Sequence, residues 1–293
     1  MGYSARYHAV SLAAIFLALA VGILIGAGFG NDVVSRETQN LEDSLKSNVV
    51  EARDRADALQ SQLDREREFS QRAYPALVAG LLYGERVAIV AVGGLPDETR
   101  NDVEAALGPA GAQLGEVATV REPPDLQVLA GEAQGTPFRG LADDGDQLER
   151  FAARYGRALL SGGPVFQTFR STVLSSYSGR AGGIDAVVVV RQQPGDLGSR
   201  EHDATERLEA GLMSGMRDTG VPVVGVELSD SDPSSIPFFE SADVSSVDSV
   251  DLTSGRVALA YALAGAQGSF GIKDTADRLL PELLGPSGGA TGP

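Results

Sequence analysis

One histidine beyond the amino-terminal end of the chain, His202, stands between two carboxylates and is the first candidate for acid–base chemistry. The chain of 293 residues reads Glu201-His202-Asp203 there, and its other histidine is His8. An imidazole beside a nucleophile and an orienting carboxylate can act as a general base. The sequence has no GxSxG nucleophile motif, and the charges around His202 are typical of a solvated helix N-terminus. We therefore predict that the protein is not an enzyme.

The glycines after the first apolar strand could hold a phosphate, but their spacing does not match a nucleotide-binding motif. Residues 93–98 read GGLPDE, whereas the dinucleotide fingerprint is GxGxxG, and GxxxxGK(S/T) does not occur in the sequence. A ligand at the carboxyl ends of the strands stays open on topology alone. These residues predict no cofactor.

Two acidic clusters offer oxygen ligands, Asp143, Asp144 and Asp146 in one and Asp230 and Asp232 in the other. Neither follows the twelve-residue EF-hand pattern, and aspartates beside glycine or proline are typical of turns and helix caps. The net charge of −16 argues against nucleic acid as a partner. The sequence has no cysteine, which excludes thiolate metal sites.

The residues after the first quarter of the chain alternate between short apolar strands and helical segments. This alternation predicts a doubly wound, mostly parallel, Rossmann-like α/β domain of four or five strands. Residues 121–145 are interpreted as a long loop, and Asp97 as the N-cap of the first helix. The strands are expected at residues 86–92, 116–120, 185–192 and 221–228, and the helices at residues 97–111, 146–163, 199–220 and 254–265.

An uncharged segment, AVSLAAIFLALAVGILIGAGFG, occupies residues 9–30. As a helix it spans about 30 Å, the thickness of a bilayer core, and it exceeds the apolar part of a typical signal peptide. Cleavage near Ala27–Gly28 remains the alternative. Arg6 precedes the segment and Asp32 follows it, so we expect a cytoplasmic N-terminus and an extracytoplasmic C-terminal domain in the cell membrane.

The anchor and the segment behind it both predict a parallel homodimer. Small residues at every fourth position of the anchor favour close helix pairing. Residues 35–72 contain no glycine or proline, and their apolar residues approach an eleven-residue repeat. A lone polar helix, the alternative, would have little to stabilise it. The predicted interface consists of Ala14, Ala18, Gly22, Gly26, Gly30, Leu41, Leu45, Val49, Ala52, Ala56, Leu59 and Leu63.

These patterns divide the chain into five segments. The predicted order is a cytoplasmic N-terminus (1–8), a transmembrane anchor (9–30), a coiled-coil stalk (31–72), an extracytoplasmic α/β domain (73–284) and a disordered tail (285–293).

Three parts of the chain together are similar to the actinobacterial copper transporter MctB family. They are ARYHAVSLAAIFLALAVGILIGAG, the stalk behind it, and the late VSSVDSVDLTSGRVALAYALAG followed by FGIKDTADRLLP. The resemblance covers nearly the whole chain and implies an envelope protein of copper transport or homeostasis. Some members of the family are proposed as outer-membrane channels, and related envelope proteins look like partners of a cell-separation machinery.

The candidate copper ligands outside the membrane are His202, Met213 and Met216. Cu(I) prefers Cys and Met, and Cu(II) prefers imidazole. On one helix, His202 and Met213 lie about 16 Å apart along the axis and cannot hold one ion together. A site shared between chains stays open. Two hypotheses follow: copper transport or homeostasis, implied by the resemblance, or a non-enzymatic scaffold or regulator that docks an envelope partner.

Overall fold

The computed structural model describes residues 5–192 and 195–282. Contacts divide the chain into two units, Met1–Glu66 and Arg67–Pro293. The predicted tail at 285–293, and the first four residues of the predicted cytoplasmic segment, lie outside the described residues.

A single helix, α1, covers Ala5–Val78 and contains 74 residues. Its segment Tyr7–Ala27 has a mean hydropathy of 2.6 over 21 residues and is long enough to cross a membrane. The predicted N-terminal apolar helix is thereby confirmed. Pro75 lies inside α1 and does not end it. The chain turns at Gly80, whose φ of +75° is a left-handed conformation that glycine adopts without strain.

Within residues 5–192 and 195–282, seven strands form one sheet in the order β3-β2-β1-β4-β5-β6-β7. Neighbouring strands are parallel, except that β3 is antiparallel to β2 at one edge. The mostly parallel α/β class predicted from the sequence is confirmed. The strands are β1 (Arg86–Val92), β2 (Gln113–Val120), β3 (Leu174–Gly179), β4 (Ala186–Arg191), β5 (Val223–Val226), β6 (Ser245–Val247) and β7 (Ser269–Phe270).

The central strands are buried on both faces. Along β1, Ala88 and Val90 belong to one hydrophobic core and Val87 and Ile89 to the other, because successive side chains point to opposite faces. The first core includes residues of α4, α5 and α6, and the second includes residues of α2 and α8. The helices after α1 are α2 (Asp97–Ala110), α3 (Leu126–Glu132), α4 (Gly145–Ser161), α5 (Pro164–Val173), α6 (Ser199–Arg217), α7 (Ile236–Ser241) and α8 (Thr253–Leu263).

The predicted count of four or five strands is wrong, because the sheet has seven. The strand β3 reads LSSYSG, and β6 and β7 are three and two residues long, so none of them carries a long apolar run. The predicted loop at 121–145 contains α3, whose first turn is capped when Asp125 accepts a hydrogen bond from the Val128 amide.

Helix ends also differ from the predictions. Asp97 is the first residue of α2, and Pro96 occupies the N-cap position, so the predicted Asp97 cap is wrong. The helix α6 ends at Arg217, before Gly220. Asp144 does cap α4, where its side chain accepts from two backbone amides, and the Gln147 amide lowers its pKa. This position agrees with the interpretation of the first acidic cluster as a turn and cap.

Candidate functional site at the carboxyl edge of the sheet

The carboxyl ends of β1, β2 and β4 meet at one edge of the sheet, where a ligand site is expected by topology. The strand β1 pairs with β2 on one side and with β4 on the other, so the chain direction across the sheet reverses at β1. Loops that leave such a point diverge and can form a crevice. The residues that follow these strands are Gly93, Glu122 and Gln192.

Gln192 fills the space next to the two glycines that follow β1. A Cβ atom placed on Gly93 would lie 2.1 Å from the Gln192 carbonyl oxygen, and one on Gly94 would lie 2.1 Å from its Oε1. A main-chain hydrogen bond from the Gln192 amide to the Val92 carbonyl, 2.9 Å long, keeps it there. The glycines at this turn therefore accommodate the chain's own Gln192, where a nucleotide fold would place a phosphate.

A buried ion pair lies beside this turn. Arg191, at the end of β4, donates from Nε and Nη2 to the two carboxylate oxygens of Glu209 on α6, at 2.5 and 2.8 Å. Their side chains are 8% and 0% exposed. The Arg191 guanidinium also stacks on Phe238, 4.2 Å from the ring centroid. Two-point pairing satisfies both charges, so the pair joins α6 to the sheet.

Glu122, two residues past the end of β2, brings a second carboxyl group to this edge. Both of its oxygens are buried and have no hydrogen-bond partner among the described residues. Burial and, to a smaller extent, the nearby Glu209 raise its pKa to about 9, and Arg191 opposes the rise. The carboxyl group is therefore protonated at neutral pH and can donate a hydrogen bond.

The carboxylates after β5 and β6 hold the segment that follows β7. Glu227 accepts from the Ser235 amide at 2.5 Å, from Ser234 Oγ at 2.8 Å and from Lys273 Nζ at 2.7 Å. Asp248 accepts from the main-chain amides of Ile272 and Lys273, at 2.9 and 2.7 Å. Both carboxylates are engaged in structural hydrogen bonds, so this half of the edge holds the chain after β7 in place.

A cleft of about 820 Å³ lies at the opposite edge, around the amino ends of β5, β6 and β7. Its charged lining consists of Arg217, Glu240, Asp243 and Asp277. Arg217 already pairs with Asp243. The remaining lining residues carry no charge.

The structure separates the three candidate copper ligands. His202 is exposed on α6, with Nε2 3.2 Å from Glu206 Oε1. Met213 and Met216 are fully buried in the first hydrophobic core. Within residues 5–192 and 195–282, no group of three or more His, Cys, Asp or Glu side chains is placed to hold a metal ion.

The predicted dimer residues that can be described are exposed. A Cβ atom placed on Gly22 or on Gly26 would have no neighbouring atom within 4 Å. Leu45, Val49, Leu59 and Leu63 are 48–61% exposed on α1, and Ala14, Ala18, Ala52 and Ala56 are exposed as well. Gly30 and Leu41 lie outside the part of α1 whose side chains are described. The dimer stays a prediction.

Sequence reasoning missed Glu122 and the Arg191–Glu209 pair. The available signal is a charged residue at the end of an apolar strand or just past it, as in VVVVR at 187–191 and VATVRE at 117–122. A charge placed there must be paired or neutralised when the edge is covered. The partner on α6 is 18 residues away from Arg191 and cannot be identified by a local pattern.

Comparison with known proteins gives a consistent result. The family model described as "Copper transport outer membrane protein, MctB" matches residues 3–281. Proteins named Copper transporter MctB from Mycobacterium bovis and Mycobacterium tuberculosis are each 27% identical over 290 residues, which covers 89% of this chain and 91% of the relative.

Proposed function

The chain belongs to the MctB family of copper transport outer membrane proteins, and from that premise we propose that it is a cell-envelope protein of copper transport or homeostasis. The observation that carries the proposal is the extent of the family match, residues 3–281. This one match includes the apolar helix, the following part of α1 and the α/β unit, so it is not confined to one part of the chain.

The proposed location is the cell membrane, with the α/β unit outside the cytoplasm. Support comes from the apolar segment Tyr7–Ala27, which is exposed along its length and long enough to span a bilayer. Arg6 before the segment and Asp32 after it favour a cytoplasmic N-terminus.

We further propose that two copies pair in parallel along α1. The apolar side chains Leu45, Val49, Leu59 and Leu63 share one face of a helix that is otherwise rich in charged residues. Burial of this face against a second copy would remove the four side chains from water. Each side chain that is fully buried would stabilise the dimer by about 1.5–3 kcal/mol. In the membrane, Gly22 and Gly26 would allow the two backbones to approach closely.

A second candidate function is a scaffold or regulator that docks an envelope partner and holds no copper itself. The observation that favours it is the placement of Met213 and Met216, whose side chains are fully buried in the core of the domain. Cu(I) needs accessible soft ligands, and exposed His202 is a single imidazole. In this version copper is carried by a partner, or at a site formed between copies.

We propose no catalytic reaction for either function. At the carboxyl edge, Gln192 contacts the glycine turn and Arg191 pairs with Glu209. The carboxylates farther along the edge, Glu227 and Asp248, hold the chain after β7. These roles are structural.

Two measurements on the full-length chain test the proposal. The first compares growth in copper of a strain lacking the gene, with and without the restored gene. Copper-dependent growth that only the restored gene rescues supports the role, and identical growth overturns it. The second titrates Cu(I) and Cu(II) into the detergent-solubilised protein. Stoichiometric binding that His202→Ala abolishes favours direct handling of copper, and rescue of growth without binding favours the scaffold.

A further inference from the structure

Glu116 is a carboxyl group inside the first hydrophobic core, next to the edge of the sheet. It lies on β2 and is 1% exposed. Tyr177, on the edge strand β3, donates its hydroxyl to Glu116 Oε2 at 2.9 Å. The other oxygen, Oε1, is buried and has no partner among the described residues. A single side-chain hydrogen bond thus connects this buried acid to the last strand of the sheet.

Aromatic side chains lie near the acid, whose charge acts on Tyr155 and Tyr177. Tyr155 on α4 is fully buried, and its hydroxyl also lacks a partner among the described residues. Phe166 on α5 lies 6.3 Å from the Tyr155 ring and 5.1 Å from the Tyr177 ring, measured between centroids. An anion in such surroundings loses its hydration and gains little in return.

The nearby cations do not satisfy the carboxyl group. Arg86 on β1 acts on it through charge alone, because its guanidinium donates to the carbonyl oxygens of Arg180, Gly182 and Gly183 at 2.6–3.3 Å. Arg170 on α5 lies over Tyr177, with Cζ 5.8 Å from the ring centroid. Burial therefore dominates and raises the pKa of Glu116 to about 7, while the Tyr177 hydroxyl and Arg86 lower it by less.

The strand β3 is the element most easily affected by this acid. It pairs with β2 and lies at the end of the sheet order, and its residues Ser175, Ser176 and Ser178 are exposed. An edge strand with few buried apolar side chains opens at lower cost than the core. Opening would separate Tyr177 from Glu116 and return the carboxyl group to water, where it ionises at its ordinary pKa.

We propose that Glu116 is a proton-controlled latch for the edge strand β3, which stays against β2 while Glu116 is protonated and opens more readily when Glu116 ionises, because the water gained by the exposed anion outweighs its hydrogen bond from Tyr177. The raised pKa fixes the direction: the latch is strongest at acidic pH and weakens as the pH rises through about 7. With an ordinary pKa of 4.5 in the open state, the open population should rise about tenfold between pH 6 and pH 8.

Hydrogen exchange on the full-length chain in detergent tests the latch. We expect protection of the β3 amides to fall about tenfold from pH 6 to pH 8, after correction for the intrinsic pH dependence of exchange. Glu116→Gln, which cannot ionise, should remove this change. Glu122→Gln is the matched control, because it prevents ionisation of another buried acid just past the end of the same strand and should leave the change at β3 intact.

A second measurement does not depend on how well Glu116→Gln folds. Carbon-13 NMR of the Glu116 carboxyl should report a midpoint near pH 7, and Tyr177→Phe should raise it by removal of a hydrogen bond to the anion. A midpoint near 4.5, or equal pH dependence of β3 protection in the wild type and Glu116→Gln, would overturn the proposal.

Discussion

Arg191 and Glu209 form a two-point ion pair that joins the carboxyl end of β4 to the middle of α6. Both side chains are buried, and their contacts measure 2.5 and 2.8 Å. Loss of one partner would leave the other as an uncompensated charge in the core. Such a loss costs far more than loss of a pair in water.

We therefore expect Glu209→Ala to lower the free energy of unfolding by about 3–5 kcal/mol. The double variant Arg191→Met with Glu209→Leu should be more stable than Glu209→Ala, because no buried charge remains. Chemical denaturation followed by circular dichroism measures both. Asp218→Ala is the control, since it removes the partner of Arg157 in a half-exposed pair and should cost about 1 kcal/mol or less. Equal losses in Glu209→Ala and Asp218→Ala would contradict the assigned role.

Glu122 should make the fold less stable as the pH rises. Its pKa is raised from 4.5 to about 9, so it favours the folded state while protonated. That contribution is complete below about pH 4.5 and is lost as the pH rises toward 9. Thermal unfolding at pH 5, 7 and 9 should give a falling melting temperature, with a shallower fall in Glu122→Gln. The exposed Glu240→Gln serves as the control and should follow the wild type. A slope in Glu122→Gln as steep as that of the wild type would refute this prediction.

The close packing of α4 on α6 depends on Gly215. A Cβ atom at this position would lie 2.0 Å from the Ala153 carbonyl oxygen, which belongs to the backbone and cannot rotate away. We expect Gly215→Ala to lower the free energy of unfolding by about 1–3 kcal/mol through overpacking. Gly131→Ala is the control, because a Cβ atom on Gly131 in α3 would have no neighbouring atom within 4 Å. It should be neutral or stabilising, since alanine has a higher helix propensity than glycine. The two variants are compared by denaturant midpoint, and a matched pair of midpoints would argue against the close approach.

A strand can be predicted from the sequence when its own residues determine it, and is missed when contacts with distant residues determine it. The run AVVVV at 186–190 predicts a buried strand by itself, and β4 occupies it. In contrast, β3 is a serine-rich edge strand with one buried side chain, Leu174, so its pairing with β2 leaves almost no hydrophobic pattern. The short β6 and β7 are strands because they complete a sheet that is already formed.

The carboxyl edge shows the same limit for sites. The sequence indicates a glycine turn after β1. Its contact with Gln192 cannot be predicted from a local pattern, because the two segments are far apart in the sequence. Glu122 has no hydrogen-bond partner among the described residues, and this depends on which groups surround it in three dimensions. Placement of Met213 and Met216 in the core was accessible from sequence, because methionines on the apolar face of an amphipathic helix commonly fill cores.

Pairing of two copies along α1 can be separated from any contact elsewhere by charge placement. Leu45→Asp with Leu59→Asp puts carboxylates on the apolar face and should abolish self-association in detergent, because like charges would face each other without water. Ser47→Asp with Ser61→Asp is the control, because it adds the same charges at the same spacing. With 3.6 residues per turn, these two positions lie on the opposite face of the helix, so association should stay intact. Chemical cross-linking and light scattering measure the fraction of dimer. If dimers persist in the leucine variant, the interface is not on this face of α1 but in the anchor or the α/β unit. The double variant Gly22→Ile with Gly26→Ile then distinguishes these two locations, because it should weaken only a contact between anchors.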